Sequence, residues 1–150
     1  TPSILALSRQ GLPKVRTKHT DNNLSAKGAY VLSDCDGERD GTIIATGSEV
    51  EIALNAQSEL IKQGIKVAVV SMPCMELFIK QDEDYKMSVI GTAPRVGIEA
   101  GLKMGWDCVL RREDGFVGMD SFGASAPADE LYKHFGITVD NLVSQIKQRI

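Results

Sequence analysis

The chain has 150 residues, which fits a single domain and is long enough to bury a self-sufficient hydrophobic core. It carries 17 basic and 20 acidic residues, a net charge of −3, and this balance argues against a general polyanion-binding surface, so we expect no nucleic-acid partner. No apolar run approaches the roughly 20 residues that a membrane-spanning helix needs. Because the first residues also lack a signal-like apolar core, we expect no membrane partner and a cytoplasmic location.

The N-terminal part of the chain contains two predicted strands separated by a long irregular segment. Residues 1–7 form an apolar, strand-like run, whereas residues 12–27 show no sustained period, which is typical of a loop or linker. The cationic side chains of this linker have no aromatic residues between them, so we interpret them as a solvated arm. Residues 29–32 (AYVL) predict the second strand, and turn residues follow it at 34–37.

Residues 41–71 predict a strand, a helix and a strand, around which the rest of the domain is organised. Residues 41–47 (GTIIATG) are a short apolar run rich in branched residues, which is typical of a buried strand. Ser48 can begin the helix as an N-cap with Glu51 completing a capping box, and Gly64 can end it in the left-handed conformation. Residues 65–71 predict the next strand, and the connection is long enough for a right-handed crossover between parallel neighbours.

Helices and strands continue to alternate in the second half of the chain. We predict a helical turn at 75–81, a helix at 83–90 capped by Asp82, a strand at 94–99, a helical stretch at 102–111, a strand at 115–119, a helix beginning with Pro127, and a final helix capped by Thr138. Strands separated by helices predict an α/β fold, a three-layer α/β/α domain with a mostly parallel sheet of about five strands. One antiparallel edge strand would be normal in such a sheet.

The cysteines and histidines show no pattern of a redox or metal site. Cys35, Cys74 and Cys108 are odd in number and widely spaced, so we expect free thiols that are buried or inert. The two histidines have no partner at ligand spacing, and we predict no metal ligands in this chain.

Ligands of open parallel sheets collect at the carboxyl ends of the strands, where this chain has no recognisable catalytic set. The start of the central helix, Gly47 and Ser48, is a weak candidate anion site because free amides and the helix dipole favour negative charge. Glu49 and Glu51 oppose this, since they complement the dipole and would repel a phosphate, so simple capping by Ser48 is favoured. No GxGxxG or P-loop lysine is present, and we predict no cofactor-binding residue.

Arg9 is the second candidate for a binding site. A guanidinium between Ser8 and Gln10 at a strand exit is suited to hold a phosphate or carboxylate through paired hydrogen bonds. From composition alone, Arg9 could instead form an ion pair on the surface or between domains, because structural ion pairs are common.

A set of short segments resembles the carboxyl-terminal region of the transketolase family, and the segments come in the order of that family. They are residues 6–13 (ALSRQGLP), 45–50 (ATGSEV), 70–73 (VSMP), 81–85 (QDEDY) with 88–89 (SV), 96–101 (VGIEAG), 121–127 (SFGASAP) and 136–141 (GITVDN). Each segment alone is a weak signal, but the ordered set is highly specific and extends over essentially the whole chain.

The resemblance implies a fragment of a thiamine-diphosphate-dependent transferase of carbohydrate metabolism, acting in the pentose phosphate pathway. Such an enzyme moves a two-carbon ketol unit from a ketose phosphate to an aldose phosphate. The resemblance further implies that thiamine diphosphate and its Mg or Ca ion are held by the two preceding domains, so the fragment binds no cofactor, is inactive alone and has a structural or regulatory role. Its implied partners are phosphorylated sugars and the rest of a transketolase chain that forms a homodimer.

The resemblance also divides the chain and gives Arg9 a role. Residues 1–27 would comprise the exit of the preceding domain and a linker, and the last strand of that preceding domain would end in residues 4–10. Residues 28–150 would be the C-terminal domain. Arg9 matches a family ligand for the substrate phosphate. Two alternatives stay open: a free-standing anion-binding α/β module using Gly47 and Ser48, or the matching domain of another thiamine-diphosphate enzyme, such as a ketoacid dehydrogenase beta chain or deoxyxylulose phosphate synthase.

Overall fold

A five-stranded sheet forms the centre of the structure, a computed structural model that describes Pro2 and residues 4–150. The strands are β1 (Tyr30–Ser33), β2 (Gly41–Ala45), β3 (Val67–Ser71), β4 (Arg95–Leu102) and β5 (Gly115–Met119). Their order in the sheet is β1-β3-β2-β4-β5. β1 is an antiparallel edge strand, and the other neighbouring strands pair in parallel. The mostly parallel sheet predicted from the sequence is therefore confirmed.

Helices cover both faces of this sheet and give the predicted three layers. They are α1 (Glu49–Lys62), α2 (Met75–Phe78), α3 (Glu83–Ile90), α4 (Ala128–His134) and α5 (Val139–Lys147), with 3-10 turns at Leu24–Lys27 and Trp106–Cys108. Successive strand residues point to opposite faces. Ile43 accordingly packs in the cluster that contains the buried residues of α1 and α5, and Ile44 in the cluster that contains those of α2 and α3.

The central strand–helix–strand unit forms as the sequence predicts. All residues of β2 are buried, and β2 pairs in parallel with β3. Beyond α1, Gly64 has a φ of +77°, its amide donates to the Ile61 carbonyl at 3.0 Å, and the Ile65 amide donates to the Leu60 carbonyl at 3.0 Å. This pair of bonds is a Schellman motif, so the left-handed glycine ends the helix as expected.

Two of the predicted helix starts, those of α3 and α5, are confirmed by their capping bonds. The Asp82 carboxylate accepts from the Tyr85 amide at 2.7 Å, and the Thr138 hydroxyl accepts from the Asn141 amide at 3.3 Å. Pro127 directly precedes α4 rather than standing inside its first turn. Among the described residues, no helix is both long enough and apolar enough to cross a bilayer.

The helical stretch predicted at residues 102–111 is wrong. β4 continues through Leu102, and only a 3-10 turn, Trp106–Cys108, follows it. Gly105 has a φ of +90°, which no right-handed helix can contain, so the chain turns there. Trp106 and Leu110 nevertheless lie on one side, as their spacing predicted, because both are buried over Gly97 of β4.

The strand predicted at residues 1–7 is not formed in the part of the chain that the structure describes. Thr1 and Ser3 lie outside the described residues, and residues 4–7 belong to no strand and are exposed, with Ile4 98% accessible. A strand needs a neighbour for its backbone hydrogen bonds, and none of the five described strands pairs with this segment.

Asp114 is a buried carboxylate that joins the amino ends of β4 and β5. It accepts from the backbone amides of Arg95 and Arg111, at 2.9 and 2.8 Å, and from the Arg111 guanidinium, at 2.9 and 3.0 Å. Burial acts to raise the pKa of Asp114, but these hydrogen bonds outweigh it and hold the pKa below its ordinary value. The carboxylate therefore stabilises this end of the sheet in its charged form.

Candidate functional site

A groove of about 800 Å³ lies at the carboxyl ends of β2, β3 and β4. Its lining includes Thr46 and Gly47 after β2, Met72 after β3, and Glu99 in β4, while residues 4–7 of the N-terminal segment also line it. This is the place where open parallel sheets bind their ligands. The groove therefore marks the candidate functional side of the domain.

The start of α1 lies beside this groove, but it is not capped as the sequence predicted. Ser48 has helical backbone angles, φ −67° and ψ −24°, and makes no capping hydrogen bond within the described chain. An N-cap needs an extended backbone so that the side chain can reach the free amides of the first turn. The Ser48 hydroxyl instead donates to Glu49 Oε1 at 2.7 Å and lies 2.8 Å from the Tyr132 hydroxyl. The capping prediction for Ser48 is therefore wrong.

Glu49 is a buried carboxylate that joins three elements of the fold. It is only 4% exposed, and it accepts from the Tyr132 hydroxyl of α4 at 2.5 Å and from the Ala100 amide of β4 at 3.1 Å, besides Ser48. Because Glu49 lies in the first turn of α1, the positive end of the helix dipole also stabilises its negative charge. A buried charge is tolerated when its hydrogen bonds are satisfied, and this one has donors on both oxygens.

The sequence alone did not reveal this cluster of Ser48, Glu49 and Tyr132. In the sequence, Glu49 was interpreted only as a charge that complements the helix dipole. Tyr132, which completes it, lies 83 residues away in the sequence. Burial, and next the hydrogen bond to Glu49, raise the pKa of Tyr132 to about 12, although contacts with Ser48 and Gln10 act in the opposite direction. The hydroxyl therefore keeps its proton and acts as a donor to Glu49.

Arg9 lies in a segment whose flanking residues line two grooves next to Gly47 and Ser48. Before it, residues 4–7 line the large groove together with Gly47. After it, Leu12 and nearby residues line a second groove, of about 240 Å³, together with Gly47 and Ser48. Arg9 itself is exposed and belongs to none of the ion pairs found among residue 2 and residues 4–150. The two candidate sites identified separately in the sequence thus occupy one region.

The anion site considered at Gly47 and Ser48 has unfavourable surroundings. The Ser48 hydroxyl is already hydrogen bonded, and the Glu49 carboxylate occupies the first turn of α1. A phosphate bound there would meet a negative charge at short range. Arg9 is therefore the stronger of the two candidates.

The cysteines are free, as predicted, but they are not buried. Cys35 and Cys74 are half-buried, and Cys108 is exposed. Desolvation raises the pKa of the Cys35 and Cys108 thiols, which lowers their nucleophilic fraction at neutral pH. The described residues contain no group of three or more His, Cys, Asp or Glu side chains that could hold a metal ion.

The fold is an α/β domain with a groove at the carboxyl ends of a mostly parallel sheet. The family described as "Transketolase-like TK C-terminal domain" matches residues 28–138. The chain therefore belongs to the transketolase family, and residues 28–138 match its C-terminal domain.

Individual relatives agree with this assignment. A transketolase of Cereibacter sphaeroides is 59% identical over all of this chain, which covers 23% of that protein. A transketolase of Sinorhizobium medicae is 56% identical over 97% of this chain and 21% of the relative. The crystal structure of a Pichia stipitis transketolase complex with sedoheptulose 7-phosphate superposes with a TM-score of 0.81 at 34% identity, covering 94% of this chain and 20% of that one. The chain thus spans between a fifth and a quarter of the length of each of these three relatives.

Proposed function

We propose that this chain is the C-terminal part of a transketolase, which transfers a two-carbon ketol unit from a ketose phosphate to an aldose phosphate with thiamine diphosphate. The observation that carries the proposal is the 59% identity to a transketolase across all 150 residues. We assign residues 1–27 to the exit of the preceding domain and a linker, and residues 28–150 to the C-terminal domain. The start of the family match at residue 28 supports this division.

The cofactor and its metal belong, in this proposal, to parts of the longer protein outside this chain. The described residues contain no group of three or more His, Cys, Asp or Glu side chains, so they do not by themselves form a complete ligand set for a Mg or Ca ion. They also contain no glycine-rich phosphate loop. As the family resemblance implies, we further propose that the chain alone is inactive, with a structural or regulatory role, and that the longer protein is a cytoplasmic homodimer.

Arg9 is the residue through which this chain contributes to the substrate site. Arg9 is exposed and belongs to no ion pair within the described residues, and residues on either side of it line grooves at the carboxyl ends of the strands. A guanidinium binds phosphate through two parallel charge-assisted hydrogen bonds. Because the phosphate is remote from the reacting carbon, this contact would serve to orient the sugar rather than to take part in bond making. The Pichia stipitis complex with sedoheptulose 7-phosphate supports phosphorylated sugars as the substrate class.

The test is Arg9→Ala in the longer enzyme, with Lys14→Ala as the control that removes a nearby exposed positive charge. Losing a charged hydrogen bond of about 1.5–3 kcal/mol should raise the KM for phosphorylated sugars about tenfold to a hundredfold. The KM for an unphosphorylated ketol donor should stay unchanged, and Lys14→Ala should alter neither value. Equal effects on both donors would contradict the phosphate role, and absence of ketol transfer in the unmodified enzyme would contradict the function itself.

An anion-binding module at Gly47 and Ser48 is the weaker proposal. Its support is limited to the free amides at the start of α1, where Glu49 opposes it. Titration of the chain with sugar phosphates or nucleotides distinguishes this module from the transketolase proposal. Saturable micromolar binding that Ser48→Ala abolishes would favour the module.

A further inference from the structure

Two sulfur atoms are in contact at the wall of the large groove. The Cys108 thiol, at the end of the 3-10 turn Trp106–Cys108, donates to Met75 Sδ, with 3.1 Å between Sγ and Sδ. Met75 is the first residue of α2, 33 residues away in the sequence, and both residues line the groove. Cys108 is exposed and Met75 is half-buried, so solvent reaches this pair.

The Cys108 sulfur has more electron-pair donors around it than it has protons to give. Besides Met75 Sδ, the Gly105 carbonyl oxygen lies 2.9 Å from Cys108 Sγ. A thiol carries one proton and is a weak donor, so it serves only one of these two acceptors at a time. A cation in place of the proton would bind the thiolate and the thioether electron pairs together. The contact therefore has the composition of a two-sulfur ligand set.

The charge around this pair favours a cation. The described lining of the groove includes Glu76 and Glu99 but no lysine, arginine or histidine. Desolvation raises the pKa of the Cys108 thiol most, and the negative charges of Asp107 and Glu76 raise it further. The thiol is therefore protonated at neutral pH, and a bound cation must displace this proton. The same carboxylates that keep the proton on the thiol attract a cation to it.

The number and softness of the ligands decide which cation fits. Zn²⁺ takes four ligands at structural sites, and Mg²⁺ and Ca²⁺ take oxygen, so none of them matches one thiol and one thioether. Thiolate and thioether sulfur select Cu(I), a closed-shell cation that is stable with two ligands. With metal–sulfur bonds of about 2.3 Å, the two sulfurs would stand roughly 4–4.6 Å apart. The present contact must therefore widen by about 1–1.5 Å, which the flexible side chain of Met75 allows.

We propose that Cys108 and Met75 form a binding site for a soft monovalent cation of the Cu(I) class. On binding, the Cys108 S–H bond breaks and its proton passes to solvent. Cys108 Sγ and Met75 Sδ each give an electron pair to the cation, and no electron is transferred. The site is independent of the proposed function. The spacing of cysteines and histidines in the sequence gave no sign of it, because one ligand is a thioether 33 residues away.

The experiment titrates the reduced 150-residue chain under anaerobic conditions with Ag⁺, a redox-stable probe of the same class, and with Cu(I) against a competing chelator. We expect one tight site that Cys108→Ser abolishes. Met75→Leu, which conserves the core volume, should weaken binding at least about tenfold, since even changes outside the ligand set cost that much at metal sites. Met87→Leu is the matched control, because it removes a thioether that is 48% exposed in α3 and does not line the groove, and it should leave the affinity unchanged.

A second measurement needs no variant. One equivalent of Ag⁺ should shield Cys108 from iodoacetamide in the unmodified chain, while Cys35 and Cys74 react as they do without metal, and mass spectrometry of the peptides reads this directly. Equal affinities of Met75→Leu and Met87→Leu would mean that cations bind free thiols only, which would overturn the site. Shielding of Cys35 or Cys74 instead of Cys108, displacement of Ag⁺ by equimolar Zn²⁺, or the absence of saturable binding would overturn it as well.

Discussion

Replacement of Gly97 by alanine tests how Trp106 is packed on the sheet. A Cβ added to Gly97 would lie 2.8 Å from the Trp106 ring atoms Cε3 and Cζ3 and 3.1 Å from Leu110 Cδ1, whereas ordinary contact begins at 3.4 Å. The ring cannot easily withdraw, because its Nε1 donates to Glu99 Oε2 at 2.8 Å and its face meets Phe116 with ring centroids 5.2 Å apart. The methyl group must therefore displace packed atoms by several tenths of an ångström.

The expected loss of stability follows from two opposing contributions. Overpacking a well-packed core costs about 1–3 kcal/mol, while replacing glycine by alanine restricts the unfolded chain and returns about 0.4–1 kcal/mol. We therefore expect Gly97→Ala to lower the free energy of unfolding by about 1–2 kcal/mol. Gly97→Val should cost more, because two further methyl groups would enter the same space.

The assay is urea unfolding of the 150-residue chain, followed by fluorescence, because Trp106 is its single tryptophan. Gly123→Ala serves as the control, since its added Cβ would meet only Met119 Cε, at 3.8 Å. A Gly97→Ala variant that is as stable as the control, with an unchanged emission spectrum, would refute this account of the packing.

Two further predictions concern stability. Leu142→Ala, in the fully buried face of α5, should cost about 2–5 kcal/mol in urea unfolding, whereas Ile150→Ala, at a side chain 52% exposed, should stay within about 0.5 kcal/mol of the unmodified chain. A similar cost at both positions would contradict the docking of α5. The lowered pKa of Asp114 means that its stabilisation is present above the unfolded-state pKa, about 3.9, and is lost as the pH falls through the lower folded-state pKa. Asp114→Asn should therefore be less stable near neutral pH, with a difference from the unmodified chain that shrinks below about pH 4; a constant difference would refute this.

Local signals predicted the parts of the fold that local interactions determine. The apolar run of β2, the glycine after α1, and the capping residues Asp82 and Thr138 act within a few residues of themselves, so their patterns were reliable. The alternation of strands and helices then led to the layered sheet.

The incorrect predictions arose where distant residues or backbone geometry decided the outcome. The Ser48 hydroxyl is taken by Glu49 and by Tyr132, whose position next to α1 no local pattern indicates. The spacing of Trp106 and Leu110 fits a helix, but burial over Gly97 requires only a 3-10 turn. For the candidate site, the sequence identified Arg9, whereas the hydrogen bonds among Ser48, Glu49 and Tyr132 became visible only in three dimensions.

The most direct test of the central claim is a measurement of ketol transfer from a ketose phosphate to an aldose phosphate, with thiamine diphosphate and Mg²⁺ present. The longer protein that contains this chain and the chain alone should be assayed in parallel. We expect transfer by the longer protein and none by the chain, because in the proposed function the cofactor and its metal are held by parts of the longer protein outside this chain. Transfer by neither protein, or by the chain alone, would contradict the assignment of this chain as the C-terminal part of a transketolase.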